Sequence, residues 1–96
     1  MQILVAYDVM TETAGGKKRL RDVAQVCKNY GQRVQKSVFE CVVDEMQYES
    51  LVQKLLRCID EKKDNLRIYK LREPKEQFAK CYGVSKILDF ESPLVV

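Results

Sequence analysis

Asp8 is the residue of this 96-residue chain that is best placed to take part in a chemical reaction. Asp8 comes near the end of the run Ile3–Val9, which is apolar at odd and even positions and therefore predicts a central strand covered on both faces. Burying an unpaired carboxylate there would cost on the order of several kcal/mol, so Asp8 is expected at the strand end. Two roles stay open for it: an ordinary carboxylate that pairs with a lysine or caps the following loop, or a ligand for Mg²⁺ or a similar hard cation.

A single carboxylate is a sparse metal site, because Mg²⁺ usually takes one or two protein carboxylates and completes its shell with water and substrate phosphates. A symmetric dimer with Asp8 near its axis would bring two carboxylates together, and a shared cation would relieve their repulsion. The metal site and the dimer are therefore one hypothesis. The chain has no histidine, which excludes histidine bases, histidine ligands and Ser-His or Cys-His nucleophile pairs.

Basic residues after Asp8 form the second group that could contact a substrate. Cations in the first turn of a helix oppose its macrodipole, and this local cost without a local gain suggests an anionic partner. Arg19 and Arg21 lie about 200° apart around a helix, so they cannot both face one phosphate. Arg33 could extend the strip along a nucleic-acid backbone, although solvated faces and edge-strand charges explain the same pattern. The cations predicted on the first helix are Lys17, Lys18, Arg19, Arg21 and Lys28.

The sequence predicts a strand, a loop and a helix for the segment that carries Asp8 and the basic residues after it. By alternation Tyr7 points away from Asp8, and packing is its simpler explanation. Met10–Gly16 has turn composition, and its two glycines match no P-loop spacing and indicate a flexible loop. Helical periodicity then predicts a helix over Lys17–Tyr30, ended by Gly31 as a left-handed cap.

Two further strands and a second helix follow. Gln32–Val43 indicates two short strands with a bend near Lys36. Asp44 and Gln47 form a capping box that opens a second helix, which runs to about Lys62. Alternating apolar positions in the second of these strands predict that one of its faces is buried.

A last core strand and a C-terminal segment complete a single domain. Leu66–Leu71 alternates as a strand, so residues 1–72 follow the order β-α-β-β-α-β, the α+β ferredoxin-like sandwich. Beyond Pro74, Gln77–Tyr82 is interpreted as an additional strand in preference to a short helix. The apolar end Asp89–Val96 is expected to dock, as a strand exchanged with or laid against a partner subunit.

Composition limits the class of protein. A chain with 46% hydrophobic and 32% charged residues and a net charge of +3 is an ordinary globular domain, and this charge does not by itself indicate nucleic acid. Cys27, Cys41, Cys58 and Cys81 lack metal-site spacing and are predicted to be reduced thiols, mostly buried. No run reaches transmembrane length and no charged segment precedes an apolar one, so we expect a cytoplasmic protein without membrane contact.

Three segments together resemble the CRISPR-associated protein 2 family, the small partners of the spacer integrase. They are Val5–Val9, Lys18–Arg21 and Tyr30–Cys41. A tyrosine and an aspartate after an apolar strand are not specific alone. The run Gly-x-Arg-x-Gln-x-Ser-Val-Phe-Glu within the third segment, at its distance from the first, is specific, and the resemblance covers essentially the whole chain.

The resemblance implies a ferredoxin-like homodimer in which C-terminal strands cross between subunits. It implies that Asp8 of both subunits lies at the dimer interface and holds Mg²⁺ or Mn²⁺ for phosphodiester cleavage. Family members have been described as cutting single-stranded RNA or double-stranded DNA. The broader family role is a scaffold that bridges two integrase dimers and holds a DNA duplex. The residues implied to support activity or contact nucleic acid are Tyr7, Arg19, Arg21, Arg33 and Phe39.

Functions from different classes remain open after this comparison. The first is a metal-dependent endonuclease, and the second is an adaptor that binds duplex DNA and the spacer integrase without chemistry, which is the preferred physiological role. Sequence patterning alone also permits a regulatory domain for a small ligand. The Met10–Lys17 loop is longer than in compact family members and resembles the branch associated with duplex DNA, so double-stranded DNA is expected as substrate rather than RNA.

Overall fold

The computed structural model has its strands and helices in the predicted order. It describes residues 1–74, residue 77 and residues 79–83. The strands of this part of the chain form one antiparallel sheet in the order β2-β3-β1-β4, so the first strand lies inside the sheet as predicted. The arrangement confirms an α+β ferredoxin-like fold. The elements are β1 (Gln2–Asp8), α1 (Ala14–Lys28), β2 (Gly31–Gln35), β3 (Val38–Val42), α2 (Glu45–Cys58) and β4 (Asn65–Leu71).

The core lies between one face of the sheet and the two helices. Every second residue of β1 and β3 is buried on this face, because strand side chains alternate between the faces of a sheet. Each large apolar side chain buried in this way stabilises the fold by about 1.5–3 kcal/mol. The buried core residues within these elements come from β1, α1, β3 and α2: Ile3, Val5, Tyr7, Val23, Cys27, Phe39, Cys41, Leu51 and Leu55.

The opposite face of the sheet exposes apolar side chains. Leu4 of β1 pairs with Tyr69 of β4 and Ala6 pairs with Arg67, so these residues share one face with Asp8. Tyr69 is 45% exposed, and Val42, at the edge of the same face, is 68% exposed. We call this surface the open sheet face. Its residues are Gln2, Leu4, Ala6, Asp8, Val38, Glu40, Val42, Asn65, Arg67, Tyr69 and Leu71.

Helix α1 begins earlier than the sequence predicted. It starts at Ala14, because the Oγ1 atom of Thr13 accepts a hydrogen bond of 3.0 Å from the backbone N–H of Gly16 and caps the first turn. The prediction of a flexible loop through Gly15 and Gly16 was therefore wrong. Gly16 is buried, and a Cβ atom on it would overlap the carbonyl oxygen of Met10. The close approach of two backbone segments requires glycine here.

The predicted end of α1 was also wrong. The helix ends at Lys28, and Asn29 caps it in a right-handed conformation. Gly31 instead opens β2, where a Cβ atom would overlap the carbonyl oxygen of Glu40 and lie 2.6 Å from the Sγ atom of Cys41. Glycine is needed at this position for the close approach of β2 to β3, and not for a left-handed cap.

Helix α2 begins as predicted and ends four residues before the expected Lys62. The capping box is present: Gln47 N–H donates to Asp44 at 2.7 Å, and Asp44 N–H donates to the Gln47 side chain at 2.9 Å. The helix ends at Cys58 because the chain turns at Asp60, whose carbonyl oxygen accepts hydrogen bonds from the next turn of backbone. This turn leads directly into β4.

The cysteines are free thiols, as predicted. Cys27 and Cys41 are buried, Cys58 is half-buried and Cys81 is exposed, so burial is less general than expected. Burial raises the pKa of Cys27 to about 12 and that of Cys41 to about 11. These two thiols are therefore protonated and unreactive at neutral pH.

The C-terminal predictions have different outcomes. Gln77 N–H donates to the carbonyl oxygen of Pro74 at 3.1 Å, so a turn follows Pro74. Gln77 and residues 79–82 do not form a strand, which leaves the predicted fifth strand unobserved within the described part of that segment. The expected docking segment Asp89–Val96 lies outside the described residues. Within the described ranges, neither helix has the length and hydropathy needed to cross a bilayer.

Candidate metal and nucleic-acid site

Asp8 lies where the sequence placed it, as the last residue of β1. Its side chain is exposed on the open sheet face, and its register partner in β4 is Asn65. Among the residues that the structure describes, no lysine or arginine forms an ion pair with its carboxylate. The carboxylate is therefore available to a ligand, and the lysine pairing considered as its ordinary role is not formed in the described part of the chain.

The atoms around Asp8 suit a hard cation but do not complete a site. Carboxylate oxygen is the ligand that Mg²⁺ and Mn²⁺ prefer, and an exposed strand end leaves room for water. Residues 1–74, 77 and 79–83 contain no group of three or more histidine, cysteine or acidic side chains that could hold a metal ion. The structure therefore shows one exposed carboxylate at this strand end and no cluster of three or more potential metal ligands among the described residues.

Tyr7, Arg33 and Phe39 come together on the helix side of the sheet. The Tyr7 and Phe39 rings stack with centroids 6.3 Å apart, and the Arg33 guanidinium carbon lies 5.2 Å from the Phe39 ring centroid. Tyr7 is 6% exposed and Phe39 is fully buried. The alternation that turned Tyr7 away from Asp8 is confirmed. Two of the three side chains, Tyr7 and Phe39, are buried, and Arg33 is half-buried beside them on the helix side of the sheet.

Two polar atoms of this cluster have no hydrogen-bond partner among the described residues: the Tyr7 hydroxyl and Arg33 Nε. Burial raises the pKa of Tyr7, the Cys27 thiol adds to the increase, and the charge of Arg33 offsets part of it. Tyr7 is therefore a neutral phenol at physiological pH and is poorly suited to act as a general base. Tyr7 therefore stabilises β1 by packing against Phe39 and is not placed to transfer a proton.

Arg19 is bound to a carboxylate that the sequence pattern did not reveal. Its Nε atom donates to Asp64 Oδ2 at 2.8 Å, and its Nη2 atom donates to Asp64 Oδ1 at 3.2 Å. The Asp64 side chain is fully buried, while that of Arg19 is 19% exposed. The hydrogen bond from Arg19 lowers the pKa of Asp64 to about 2 against the opposing effect of burial, and backbone N–H groups lower it further. Asp64 is ionised at neutral pH.

Arg21 has a different environment from Arg19, as their angular separation predicted. Its side chain is exposed on α1, beside the exposed Lys17. Lys18 forms a surface ion pair of 2.7 Å with Asp22, one turn further along the helix. The residues proposed from the sequence therefore lie in three places. Asp8 is on the open sheet face, Tyr7, Arg33 and Phe39 cluster on the helix side of the sheet, and α1 carries Arg19, which is paired with Asp64, and Arg21, which is exposed.

Known proteins are similar to this chain in sequence and in fold. The family model described as CRISPR associated protein Cas2 matches residues 1–79. A Moorella thermoacetica protein named CRISPR-associated endoribonuclease Cas2 1 is 64% identical over 96 residues, which are 100% of both chains. A Halalkalibacterium halodurans protein named CRISPR-associated endonuclease Cas2 is 50% identical over 99% of both chains. The crystal structure of Streptococcus pyogenes Cas2 at pH 6.5 has a TM-score of 0.78 and 47% identity, and the match covers 86% of this chain and 100% of that chain.

Proposed function

Because this chain belongs to the CRISPR-associated protein Cas2 family, we propose that it acts in CRISPR adaptation as a homodimer that binds duplex DNA and cleaves phosphodiesters with a divalent metal ion. Its membership supports the CRISPR-associated role, and the nuclease names of its relatives favour cleavage. The observation that carries the proposal is the exposed Asp8 carboxylate on the open sheet face. A regulatory domain for a small ligand has no comparable support.

Packing two open sheet faces together would supply the second carboxylate. Apolar side chains such as Val42 and Tyr69 are left in water by a single chain, and their burial contributes about 25 cal/mol per Å². Asp8 lies on the same face, so a two-fold axis near the end of β1 would bring both copies of it together. Two carboxylates at that distance repel unless a cation lies between them.

A charge placed on this face is expected to break the dimer. We expect Tyr69→Glu to be monomeric and to lose cleavage, because a carboxylate in the interface must lose its water. This desolvation can cost more than the attraction of the neighbouring Arg67, whose Nη1 atom donates to the Tyr69 hydroxyl at 3.3 Å. Sedimentation velocity and cleavage rates measure the two effects. Met46→Glu is the matched control, since Met46 is 83% exposed on α2 and away from the sheet. A dimeric, active Tyr69→Glu protein would place the dimer interface elsewhere.

Different side chains of this protein would bind the metal ion and position the nucleic-acid backbone. Asp8 from each protomer would hold the metal ion, which when bound supplies Lewis acidity and lowers the pKa of a coordinated water. Arg21 and Lys17, both exposed on α1, would position the phosphate backbone by charge, so binding should weaken as salt rises. Two donor atoms of Arg19 are occupied by Asp64, so Arg19 can offer a phosphate only its remaining edge.

The test is cleavage of end-labelled duplex DNA and matched single-stranded RNA with Mg²⁺, with Mn²⁺ and with excess EDTA. We expect metal to increase the rate at least about 100-fold over EDTA, since coordination makes water a nucleophile at neutral pH. Duplex DNA should be cut faster than RNA. Equal rates with and without metal would contradict the mechanism, and cleavage of RNA alone would contradict the substrate.

A second candidate function is an adaptor that holds duplex DNA and docks the spacer integrase without chemistry. It is favoured by the described residues of one chain, which contain no group of three or more histidine, cysteine or acidic side chains that could hold a metal ion. Stable binding of both duplex DNA and the integrase, together with no cleavage at any metal concentration, would establish this function instead.

A further inference from the structure

We infer that Asp64 is a positioning residue of the Asp8 site: its carboxylate fixes the chain that leaves Asp8 and holds Arg19 in one orientation. This inference rests on the proposed function, because it concerns the same site. Asp64 immediately precedes β4, and its carboxylate accepts hydrogen bonds from Met10, Asp60 and Arg19. It would act through the backbone and through the guanidinium that it binds.

The Asp64 carboxylate joins three separate segments of the chain. Its Oδ1 atom accepts from Met10 N–H at 3.1 Å, which ties it to the segment after β1. Its Oδ2 atom accepts from Asp60 N–H at 2.9 Å, which closes the turn after α2. Each oxygen also accepts one donor from Arg19 on α1. Four donors fill the acceptor positions of a fully buried carboxylate, so its orientation is fixed.

The same turn holds the end of β1 at two points. Asp8 pairs in register with Asn65, the residue after Asp64, and Met10, two residues after Asp8, donates its N–H to Asp64 itself. The backbone between these two points determines where the Asp8 carboxylate is aimed. A displacement of about 1 Å at a reacting group can reduce a rate by a factor of about 100. Asp64 is therefore placed to control the rate without touching the substrate.

Asp64 also limits what Arg19 can do. Its two hydrogen bonds occupy Nε and Nη2, and Nη1 lies beside the first turn of α1, where a Cβ atom on Gly15 would be 3.7 Å away. A bidentate pair holds the planar guanidinium in one plane. Because the Asp64 carboxylate also neutralises the charge of Arg19, we expect Arg19 to orient a bound phosphate more than it strengthens the binding of nucleic acid. Loss of Asp64 should therefore lower kcat more than it changes KM.

Asp64→Asn tests the inference on the full-length protein. Asparagine keeps the size of the side chain but replaces one acceptor oxygen by an NH₂ group, so either orientation loses one donor from Arg19 and one backbone donor, Met10 N–H or Asp60 N–H. If the amide oxygen faces Met10, it is still a weaker acceptor than a carboxylate oxygen, so the hydrogen bond from Met10 is lost or weakened in both orientations. We expect kcat to fall at least about 10-fold and the KM for duplex DNA to change less than about 3-fold. The Met10 amide should exchange with solvent at least about 10-fold faster. Asp22→Asn is the control, because it removes the same charge from an exposed pair with Lys18.

Three outcomes would overturn the inference. Any one of them is sufficient. The first is that Asp64→Asn has the same kcat as Asp22→Asn. The second is that the Met10 amide of Asp64→Asn exchanges as slowly as in the unmodified protein, and the third is that Asp64→Asn changes only KM. If Asp64→Asn does not fold, exchange in the unmodified protein decides the question. A Met10 amide that exchanges more slowly than that of Thr11 supports the inference, and equal exchange refutes it.

Failure of the proposed function would look different. Unmodified protein that does not cleave with any metal refutes the nuclease, and the amide measurement needs no cleavage. In that case, faster exchange at Met10 in Asp64→Asn than in Asp22→Asn still supports the fixing of the segment after Asp8. Equal exchange in the two variants overturns it.

Discussion

Asp8→Asn should abolish metal-dependent cleavage, with a rate at least about 100-fold lower, while the protein stays folded and dimeric. Asparagine keeps the size of the side chain and one carbonyl oxygen but removes the negative charge that attracts a hard cation. Asp8 is exposed at a strand end and pairs with no cation in the described part of the chain, so its loss should cost little stability. Initial rates at saturating Mg²⁺, together with sedimentation and thermal unfolding, measure these effects.

The matched control for this prediction is Glu12→Gln. Glu12 is an exposed acid in the loop that follows Asp8, and the change removes the same charge close to the site. We expect its cleavage rate to stay within about 3-fold of the unmodified protein, since it is not proposed as a metal ligand. Equal cutting by Asp8→Asn would assign the activity to another site or to a contaminating nuclease. Loss of the dimer in Asp8→Asn would make Asp8 a structural residue of the interface.

Gly16→Ala should destabilise the protein by roughly 2–4 kcal/mol. The new Cβ atom would overlap the Met10 carbonyl oxygen and lie 3.0 Å from its carbonyl carbon and 3.3 Å from Thr11 Cα. All of these atoms are backbone, so the loop must move away from α1. The movement would also strain the hydrogen bond from Met10 to Asp64. For a domain of this size we expect the melting temperature to fall by more than about 10 °C.

Gly15→Ala provides the comparison within the same helical turn. Gly15 is exposed, and its new Cβ atom would lie 3.7 Å from Arg19 Nη1 and 3.9 Å from Thr13 Oγ1, which are ordinary contacts. Alanine also favours a helix over glycine by up to about 1 kcal/mol. Thermal unfolding should therefore show Gly15→Ala to be as stable as the unmodified protein or more stable. Equal stability of the two variants would contradict the close packing of Met10 on Gly16.

Local sequence patterns, which involve residues close together in the chain, correctly predicted the order of the helices and strands and the start of α2. The continuous apolar run Ile3–Val9 was enough to predict that β1 lies inside the sheet with Asp8 at its end, because this prediction depends only on which positions are apolar. The Asp44 and Gln47 capping box marked the start of α2 for the same reason. Gly31 shows the limit of such patterns. A glycine can signal a left-handed turn or the absence of a Cβ atom, and only the approach of β3 distinguishes the two.

The candidate site was less accessible from sequence. Asp8, Arg19, Arg21 and Arg33 followed from residue type and position, and packing was already the simpler explanation for Tyr7. Phe39 came from the family resemblance, which did not indicate that Phe39 is fully buried. The Arg19–Asp64 pair joins residues 45 positions apart, and nothing in a Lys-Asp-Asn turn indicates which cation will reach it. Its only local signal is an aspartate in a turn, which is common in any protein. Long-range pairing of this kind depends on the finished packing.

The order of strands in the sheet has a consequence for synthesis on the ribosome. β1 is made first, yet one of its two neighbours, β4, is the last element of the core. A nascent chain that has emerged only as far as α2 therefore exposes an unpaired edge of β1, which could pair with other chains. Asp64 and Asn65 are absent from it as well. The surroundings of Asp8 are thus completed only when translation has passed β4, so a partly made chain cannot carry a finished site.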